Sequence, residues 1–207
     1  LTHPWAANVV DLCPVGALLS KDFLNKARAW ELDRTASVCT GCSQGCNIIV
    51  ETRDNTVMRL RPRSNEQVNQ FFMCDHGRAD YRWLNRRDRL ESPAILGAGG
   101  HVSAEWDVAL AAAARVLKGK RIFVLASPNL SNEALHLLAR VAAVGGGGGA
   151  FRVAQGEEAP LPGAPDVALR RDRAANATGA ELLGFARQES PLDALQAGDA
   201  LIVADAD

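Results

Sequence analysis

The chain has 207 residues, 47% of them hydrophobic, and a formal net charge of -1. A folded chain of this length buries roughly 70% of the surface that it exposes when extended. The balanced charge offers no basic excess for nucleic acid, and no apolar run approaches the roughly 18 residues of a membrane span. The composition therefore predicts a folded protein with no nucleic-acid partner, which reaches a membrane only through partner subunits.

Short elements are predicted in the chain up to residue 93. Residues 21–32 mix charged and apolar side chains in a helical or irregular manner. Residues 47–51 and 56–61 predict two short strands, joined by a turn at 53–55. Residues 80–85 predict a short helix, and Pro93 marks a boundary. We expect an α+β module here, in which the hairpin packs beneath a cysteine-containing loop.

The chain after residue 93 has the alternating pattern of an α/β domain. Ser103 is predicted to cap a helix that ends at Leu117, and residues 121–126 predict a buried strand. A second helix is expected from Ser131 to about residue 143, with later strands near 151–153 and 200–204. Because helices and strands alternate in this way, the sequence predicts a mostly parallel sheet.

Four of the five cysteines follow one pattern, in which three closely spaced thiols are joined by a distant fourth. Four cysteine thiolates are the ligand set of a [4Fe-4S] cluster. Gly41 and Gly45 are expected to let the loop curl through positive φ and to bring backbone N–H groups near the cluster sulfides. The pattern predicts one [4Fe-4S] site, with the ligands Cys39, Cys42, Cys46 and Cys74.

Two other uses of these cysteines are open to consideration. A structural zinc site also takes four cysteines, but it usually has two Cys-x2-Cys hooks, and no second hook accompanies Cys74. Disulfides need an oxidising compartment, and the chain shows no signal peptide. A zinc-stabilised interaction module stays open as an alternative. No catalytic side chain is predicted, because a bound cluster would perform the chemistry.

The fifth cysteine, Cys13, is followed by Pro14. A Cys-Pro pair typically ends a ferredoxin cysteine run, and that last cysteine often completes a cluster whose other ligands lie elsewhere. No cysteine precedes Cys13, and the chain starts at Leu1 without a methionine. These observations predict a fragment truncated at both ends, although a buried inert thiol also fits Cys13.

Residues 8–18, 26–32 and 39–47 together resemble the large iron–sulfur subunit of bacterial complex I, NADH:quinone oxidoreductase. The resemblance covers residues 8–93. Such subunits pass electrons from a flavin site along a chain of clusters. The resemblance implies that Cys13 is the fourth ligand of an upstream [4Fe-4S] cluster. It also implies partners among the other complex I subunits, including the flavin-bearing NADH-oxidising subunit, and a cytoplasmic location on the inner face of the plasma membrane.

A looser resemblance to molybdopterin oxidoreductase domains covers residues 93–143, on the segments 105–110 and 131–134. Together the two resemblances imply three domains: a ferredoxin-like tail with its connector (1–33), a 4Fe-4S Mo/W bis-MGD-type cluster domain (34–92), and the start of a molybdopterin-oxidoreductase-like α/β domain (93–207). The chain is thus expected to belong to an oxidoreductase subunit, without a complete catalytic site of its own.

The chain departs from active molybdopterin oxidoreductases at His76. The family motif after the fourth cysteine is Cys-x-Lys-Gly, whereas this chain has Cys74-Asp75-His76-Gly77. No later cysteine is present to bind molybdenum. We therefore predict an electron-relaying domain without molybdopterin. The alternative is the N-terminal part of a formate-dehydrogenase-like catalytic subunit.

Arginines flank the cysteine pattern on both sides along the chain. They could offset the charge of a thiolate-bound cluster, contact the pyrophosphate of a pterin nucleotide, or form ion pairs with interleaved acidic residues. Exposed charge runs are usually either salt-bridged or solvated and do no more than this. The arginines concerned are Arg59, Arg61, Arg63, Arg78, Arg82, Arg86, Arg87 and Arg89.

Overall fold

The computed structural model describes residues 3–205. The chain forms two compact units. The first extends to Arg86 and also includes Val153–Ala175, which we call the return segment; the second contains Arg87–Arg152 and the chain from Asn176 onward. The domain boundaries that we predicted at residues 33 and 92 remain predictions, because a division of the structure into compact units does not test boundaries inferred from family resemblance.

The helices are short, and the strands belong to four separate sheets. Three 3-10 turns lie at Ala29–Glu31, Arg82–Asn85 and Pro191–Ala194. In chain order the other elements are α1 (Asn8–Leu12), β1 (Asp33–Val38), β2 (Asn47–Arg53), β3 (Thr56–Pro62), α2 (Asp75–Ala79), β4 (Ala94–Gly97), β5 (Gly100–Ser103), α3 (Trp106–Leu117), β6 (Ile122–Ala126), α4 (Asn132–Val144), β7 (Gly149–Phe151), β8 (Ala159–Leu161), β9 (Ala164–Leu169), α5 (Ala177–Leu182), β10 (Ala186–Arg187) and β11 (Ala200–Ala204).

An antiparallel sheet of order β1-β2-β3 supports the first unit. The predicted hairpin is β2 and β3, and its turn places Asp54 and Asn55 at positive φ, which Asn and Asp tolerate better than most residues. Strand β1 was not predicted, because every residue in it is exposed and no alternation of polar and apolar residues marks it. Helix α2 was also missed, and the helix expected at 80–85 is a 3-10 turn.

Two apolar clusters form the core of the first unit, and each contains two of the cysteines. The cluster on the sheet contains Cys39 and Cys46. The other contains Cys42 and Cys74, and it includes residues of the antiparallel hairpin β8-β9 in the return segment. The first cluster is completed by Ile48, Leu60, Met73 and Tyr81, and the second by Trp5, Ala164, Val167 and Leu169.

The second unit contains the predicted parallel sheet, with the order β10-β7-β6-β11. The fold is therefore mixed α/β, as the sequence indicated. Helix α4 begins where predicted, since the Ser131 hydroxyl accepts a hydrogen bond from the Ala134 amide at 3.2 Å. The predicted cap of α3 is wrong: Ser103 lies in β5, and Glu105 precedes the helix. No helix within residues 3–205 is long and apolar enough to cross a bilayer.

The glycine run at 145–149 has a structural role that the sequence did not indicate. Gly145 ends α4, as expected of a helix stop. A Cβ at Gly147 would lie 1.9 Å from the carbonyl oxygen of Ile122, so only glycine fits against β6 there. Gly147 therefore packs directly against the backbone of β6.

Candidate metal centre

The strand pairing of β1 with β2 fixes the loop that contains three of the cysteines. Val38, the last residue of β1, is paired with Asn47, the first residue of β2. The Cys39 amide donates a hydrogen bond to the Cys46 carbonyl at 2.8 Å and closes the base of the loop. Cys74 precedes α2 as its N-cap residue. Cys39, Cys42 and Cys46 are thus held on one rigid turn, and Cys74 approaches from a separate element.

All four cysteine side chains are buried, and each is 6% exposed or less. Burial raises the pKa of Cys39 and of Cys46, and neighbouring cysteines act in the same direction, so that both values are about 12. Cys46 is influenced by Cys39, Cys42 and Cys74 together. The structure therefore brings the four predicted ligands into one small region that excludes water.

Backbone amides point at two of the sulfurs. The Gly41 amide donates to Sγ of Cys39 at 3.5 Å, and the Gly77 amide donates to Sγ of Cys74 at 3.3 Å. A Cβ at Gly77 would lie 3.0 Å from the first sulfur and 3.6 Å from the second, so the helix backbone approaches both. Of the two loop glycines, Gly45 has the predicted positive φ, at 59°, whereas Gly41 is outside that region.

The donor set fits a [4Fe-4S] cluster. Such a cluster offers a separate iron to each of four thiolates, so the ligands need not converge on one point. Within residues 3–205, no three His, Cys, Asp or Glu side chains are arranged around a position for a single metal ion. Because burial raises the pKa of Cys39 and of Cys46, metal binding must displace the protons of these two thiols, which makes assembly of the site dependent on pH.

The return segment covers this loop, which sequence reasoning did not foresee. The Ser43 amide donates to the Asp172 carbonyl at 2.9 Å. The side-chain oxygen of Gln44 accepts from the Ala168 amide at 3.3 Å and from Nε of Arg170 at 2.7 Å. The residues between adjacent cysteines are therefore bonded to a segment more than a hundred positions later in the sequence. No local pattern could have indicated this pairing.

Two charged residues near the cysteines were also missed. Burial raises the pKa of Cys74, while the Gly77 amide and the positive charge of Arg173 act in the opposite direction. Asp80 contributes to the raised pKa of Cys39. The pKa of Asp80 is itself raised, because the effect of burial exceeds the opposing effect of His76. His76 thus lies near Asp80, which is itself a neighbour of Cys39.

Cys13 belongs to neither of the two apolar clusters that contain the other four cysteines. It is half-buried, and the backbone N–H groups of residues 15–18 lower the pKa of its thiol, so the interpretation of Cys13 as a buried inert thiol is not favoured. The chain just before it is fastened to the residues around Cys74: the Ala7 amide donates to the Asp75 carboxylate at 3.0 Å, and the Met73 amide donates to Oδ1 of Asn8 at 3.1 Å.

Ion pairs account for several of the flanking arginines. Arg59 contacts the buried Glu51, and Arg82 lies 3.1 Å from Asp22. Asp11 pairs with two more of them, Arg61 at 3.3 Å and Arg78. The structure thus favours the ion-pair interpretation for these arginines, but their partners Glu51, Asp11 and Asp22 are not the interleaved acidic residues that were expected.

Residues 32–86 match the family model described as the molybdopterin oxidoreductase Fe4S4 domain. This segment contains the three-stranded sheet and all four buried cysteines. The match therefore covers the region that the spacing had assigned to an iron–sulfur cluster.

The similarity to curated proteins is longer than the segment 32–86. The chain is 41% identical over 136 residues to an NADH-quinone oxidoreductase subunit from Rickettsia bellii, covering 64% of the chain and 20% of that protein. It is 37% identical over 139 residues to the protein of the same name from Pseudomonas fluorescens, covering 67% of the chain and 15% of that protein. It is 44% identical over 118 residues to the mitochondrial NADH dehydrogenase [ubiquinone] iron-sulfur protein 1 of Solanum tuberosum, covering 56% of the chain and 16% of that protein.

The chain spans about a fifth or less of the length of these relatives. Within that span the similarity agrees with the resemblance that the sequence indicated. Residues 32–86 are thus similar to a molybdopterin oxidoreductase Fe4S4 domain, and the chain is similar in sequence to part of the iron–sulfur subunits of NADH-quinone oxidoreductases.

Proposed function

We propose that the chain is part of an iron–sulfur electron-transfer subunit of an NADH:quinone oxidoreductase. In this proposal Cys39, Cys42, Cys46 and Cys74 bind one [4Fe-4S] cluster. The observation that supports it most directly is the burial of these four thiols in one region, on a segment that matches an Fe4S4 domain. The names of the curated relatives support the choice of enzyme.

The chain's own residues supply binding and shielding at this site. A bound [4Fe-4S] cluster supplies one-electron transfer, with a potential set by charges, hydrogen bonds to sulfur and exposure to solvent. The loop residues hold the thiolates in place, and the Gly41 and Gly77 amides stabilise negative charge on sulfur. The apolar neighbours exclude water, among them Met73 and Tyr81, which are 0% and 1% exposed.

Cys13 is proposed as the fourth ligand of a second [4Fe-4S] cluster, whose other ligands lie upstream of this chain. The N–H groups of residues 15–18 around its sulfur favour the thiolate, which is the form that binds iron. The hydrogen bonds of Ala7 and Asn8 to the region of Cys74 would keep the two cluster sites at a fixed separation.

The partners in this proposal are the other complex I subunits. A flavin-bearing subunit that oxidises NADH would deliver electrons, and the electrons would leave toward quinone in a membrane arm. The subunit would therefore be peripheral, on the cytoplasmic face of the plasma membrane, and attached through its partners. We also propose that no molybdopterin is bound, because His76 replaces the lysine of the family motif and no cysteine follows Cys74 within these 207 residues.

Anaerobic purification with iron, sulfide and zinc analysis tests the cluster proposal. We expect about four irons and four sulfides for each copy of the site, and loss of this iron in Cys46→Ala. Ser43→Ala is the matched control in the same loop, because its described hydrogen bond uses the backbone amide and not the hydroxyl. Stoichiometric zinc without iron would instead support the zinc-stabilised module.

Pterin analysis separates the two oxidoreductase proposals. Oxidation of the purified protein to a fluorescent pterin derivative, with molybdenum and tungsten measured by mass spectrometry, should give neither pterin nor metal. Stoichiometric pterin and metal, together with formate-dependent dye reduction, would favour the formate-dehydrogenase-like alternative.

A further inference from the structure

The guanidinium group of Arg173 is held in place by backbone carbonyls. Nη1 donates to the Arg170 carbonyl at 2.6 Å, and Nη2 donates to the Glu157 carbonyl at 2.8 Å. The Arg173 amide donates to the Ala154 carbonyl at 2.9 Å. Among residues 3–205, no carboxylate pairs with this side chain, in contrast to Arg59, whose charge is balanced by Glu51. The positive charge of Arg173 is therefore fixed in position and not neutralised.

Gly156 provides the space for this arrangement. A Cβ at Gly156 would lie 2.4 Å from Nη2, 2.5 Å from Nε and 2.8 Å from Cζ of Arg173. The guanidinium group thus lies directly against the Gly156 backbone. Any side chain at position 156 would push it away.

The charge is fixed close to the cysteines. Asp172, the residue before Arg173, accepts a hydrogen bond from the Ser43 amide in the cysteine loop at 2.9 Å. The return segment that holds this charge is therefore joined directly to the cysteine loop. The described arginines Arg59, Arg61, Arg78 and Arg82 differ, because each of them contacts a carboxylate.

We propose that Arg173 is a positioning residue that raises the reduction potential of the [4Fe-4S] site formed by Cys39, Cys42, Cys46 and Cys74. This inference rests on the proposed function. A four-thiolate site carries net negative charge, and reduction adds one electron to it. A fixed and unpaired cation nearby stabilises the more negative, reduced form, and the partly apolar surroundings weaken the screening of this interaction.

The test is a redox titration of the anaerobically purified protein, followed by electron paramagnetic resonance. The paramagnetic signal that is present in the wild-type protein and lost in Cys74→Ala is assigned to this site. If the wild-type protein shows no such signal, the result contradicts the proposed function and not the role of Arg173. In Arg173→Gln we expect the signal to remain, with a lower midpoint potential. At a given applied potential, we expect the ratio of reduced to oxidised sites to fall about tenfold. This corresponds to a midpoint potential that is lower by about 59 mV for a one-electron couple.

Three further variants separate charge from structure. Arg173→Lys keeps the charge, so its ratio of reduced to oxidised sites at a given potential should stay within about twofold of the wild-type value. Gly156→Ala keeps Arg173 but displaces its guanidinium, and should lower the potential by a smaller amount than Arg173→Gln. Arg171→Gln removes a charge from an exposed neighbouring position and should have little effect.

Unchanged potentials in both Arg173→Gln and Gly156→Ala would overturn the proposal, as would an equal shift in Arg171→Gln. If Arg173→Gln binds no iron, the comparison of Gly156→Ala with the wild type decides the question.

Discussion

Replacement of Gly77 by alanine tests whether the four cysteines are packed as tightly as the structure indicates. The new Cβ would lie 3.0 Å from Sγ of Cys39 and 3.1 Å from Cε of Met73. Forcing a methyl group into such a packed region costs about 1–3 kcal/mol. Alanine in place of glycine within α2 recovers up to about 1 kcal/mol of helix propensity. The net expected loss is about 1 kcal/mol.

A loss of this size raises the population of opened molecules about fivefold. We therefore expect the rate at which an iron chelator removes iron from the purified protein to rise about fivefold in Gly77→Ala, when opening is rapid compared with chelation. The assay follows iron–sulfur absorbance under anaerobic conditions, with iron analysis at the end.

Gly41→Ala is the matched control, since Gly41 is also a neighbour of Cys39. A Cβ there would lie 3.5 Å from Oδ2 of Asp80 and 3.6 Å from Sγ of Cys39, which are ordinary contacts, and its φ is outside the left-handed region. Its rate of iron loss should match that of the wild type. The packing argument is refuted if Gly77→Ala loses iron at the wild-type rate, or if both variants lose it equally fast.

Three further predictions follow from individual contacts and pKa shifts. Gln44→Ala removes the acceptor of the Ala168 amide and Arg170 side chain, so hydrogen exchange in the return segment should report a loss of about 1–2 kcal/mol, and unchanged exchange would contradict this role. Cys13→Ala should leave the iron of the four-cysteine site intact while removing one cluster signal from the longer subunit; iron loss from the four-cysteine site would show that the ligands are misassigned. The pKa values of Cys39 and Cys46 are raised from 9.0 to about 12, so the folded metal-free protein retains these protons more tightly than the unfolded chain, and its stability should fall between about pH 9 and about pH 12. Urea titrations at several pH values check this, and a flat profile would disprove it.

Local patterns were sufficient for several parts of the structure. The β2-β3 hairpin has turn residues that tolerate positive φ, and α4 has a serine cap, so neighbouring residues alone specify both elements. The candidate ligands were identified for a similar reason: iron–sulfur chemistry needs four thiolates, and cysteine spacing is visible in the sequence. The structure then brought all four into one buried region.

Local patterns failed where a distant segment decides the environment. Strand β1 has no apolar face of its own, and its pairing with β2 makes it a strand. Gly147 resembles part of a flexible linker, but the Ile122 carbonyl leaves no room for a side chain. In each case the constraint comes from a residue that is close in space but lies outside the element itself.

The sequence by itself determined the identity of the four candidate ligands, the hairpin beside them and the class of the fold. Only the tertiary structure decided what surrounds the ligands. It brought the return segment against Ser43 and Gln44, and it placed the unpaired charge of Arg173 near Cys74. The physical reason is that thiolate chemistry is a property of residue type and spacing, whereas burial and electrostatic environment depend on contacts between distant parts of the chain.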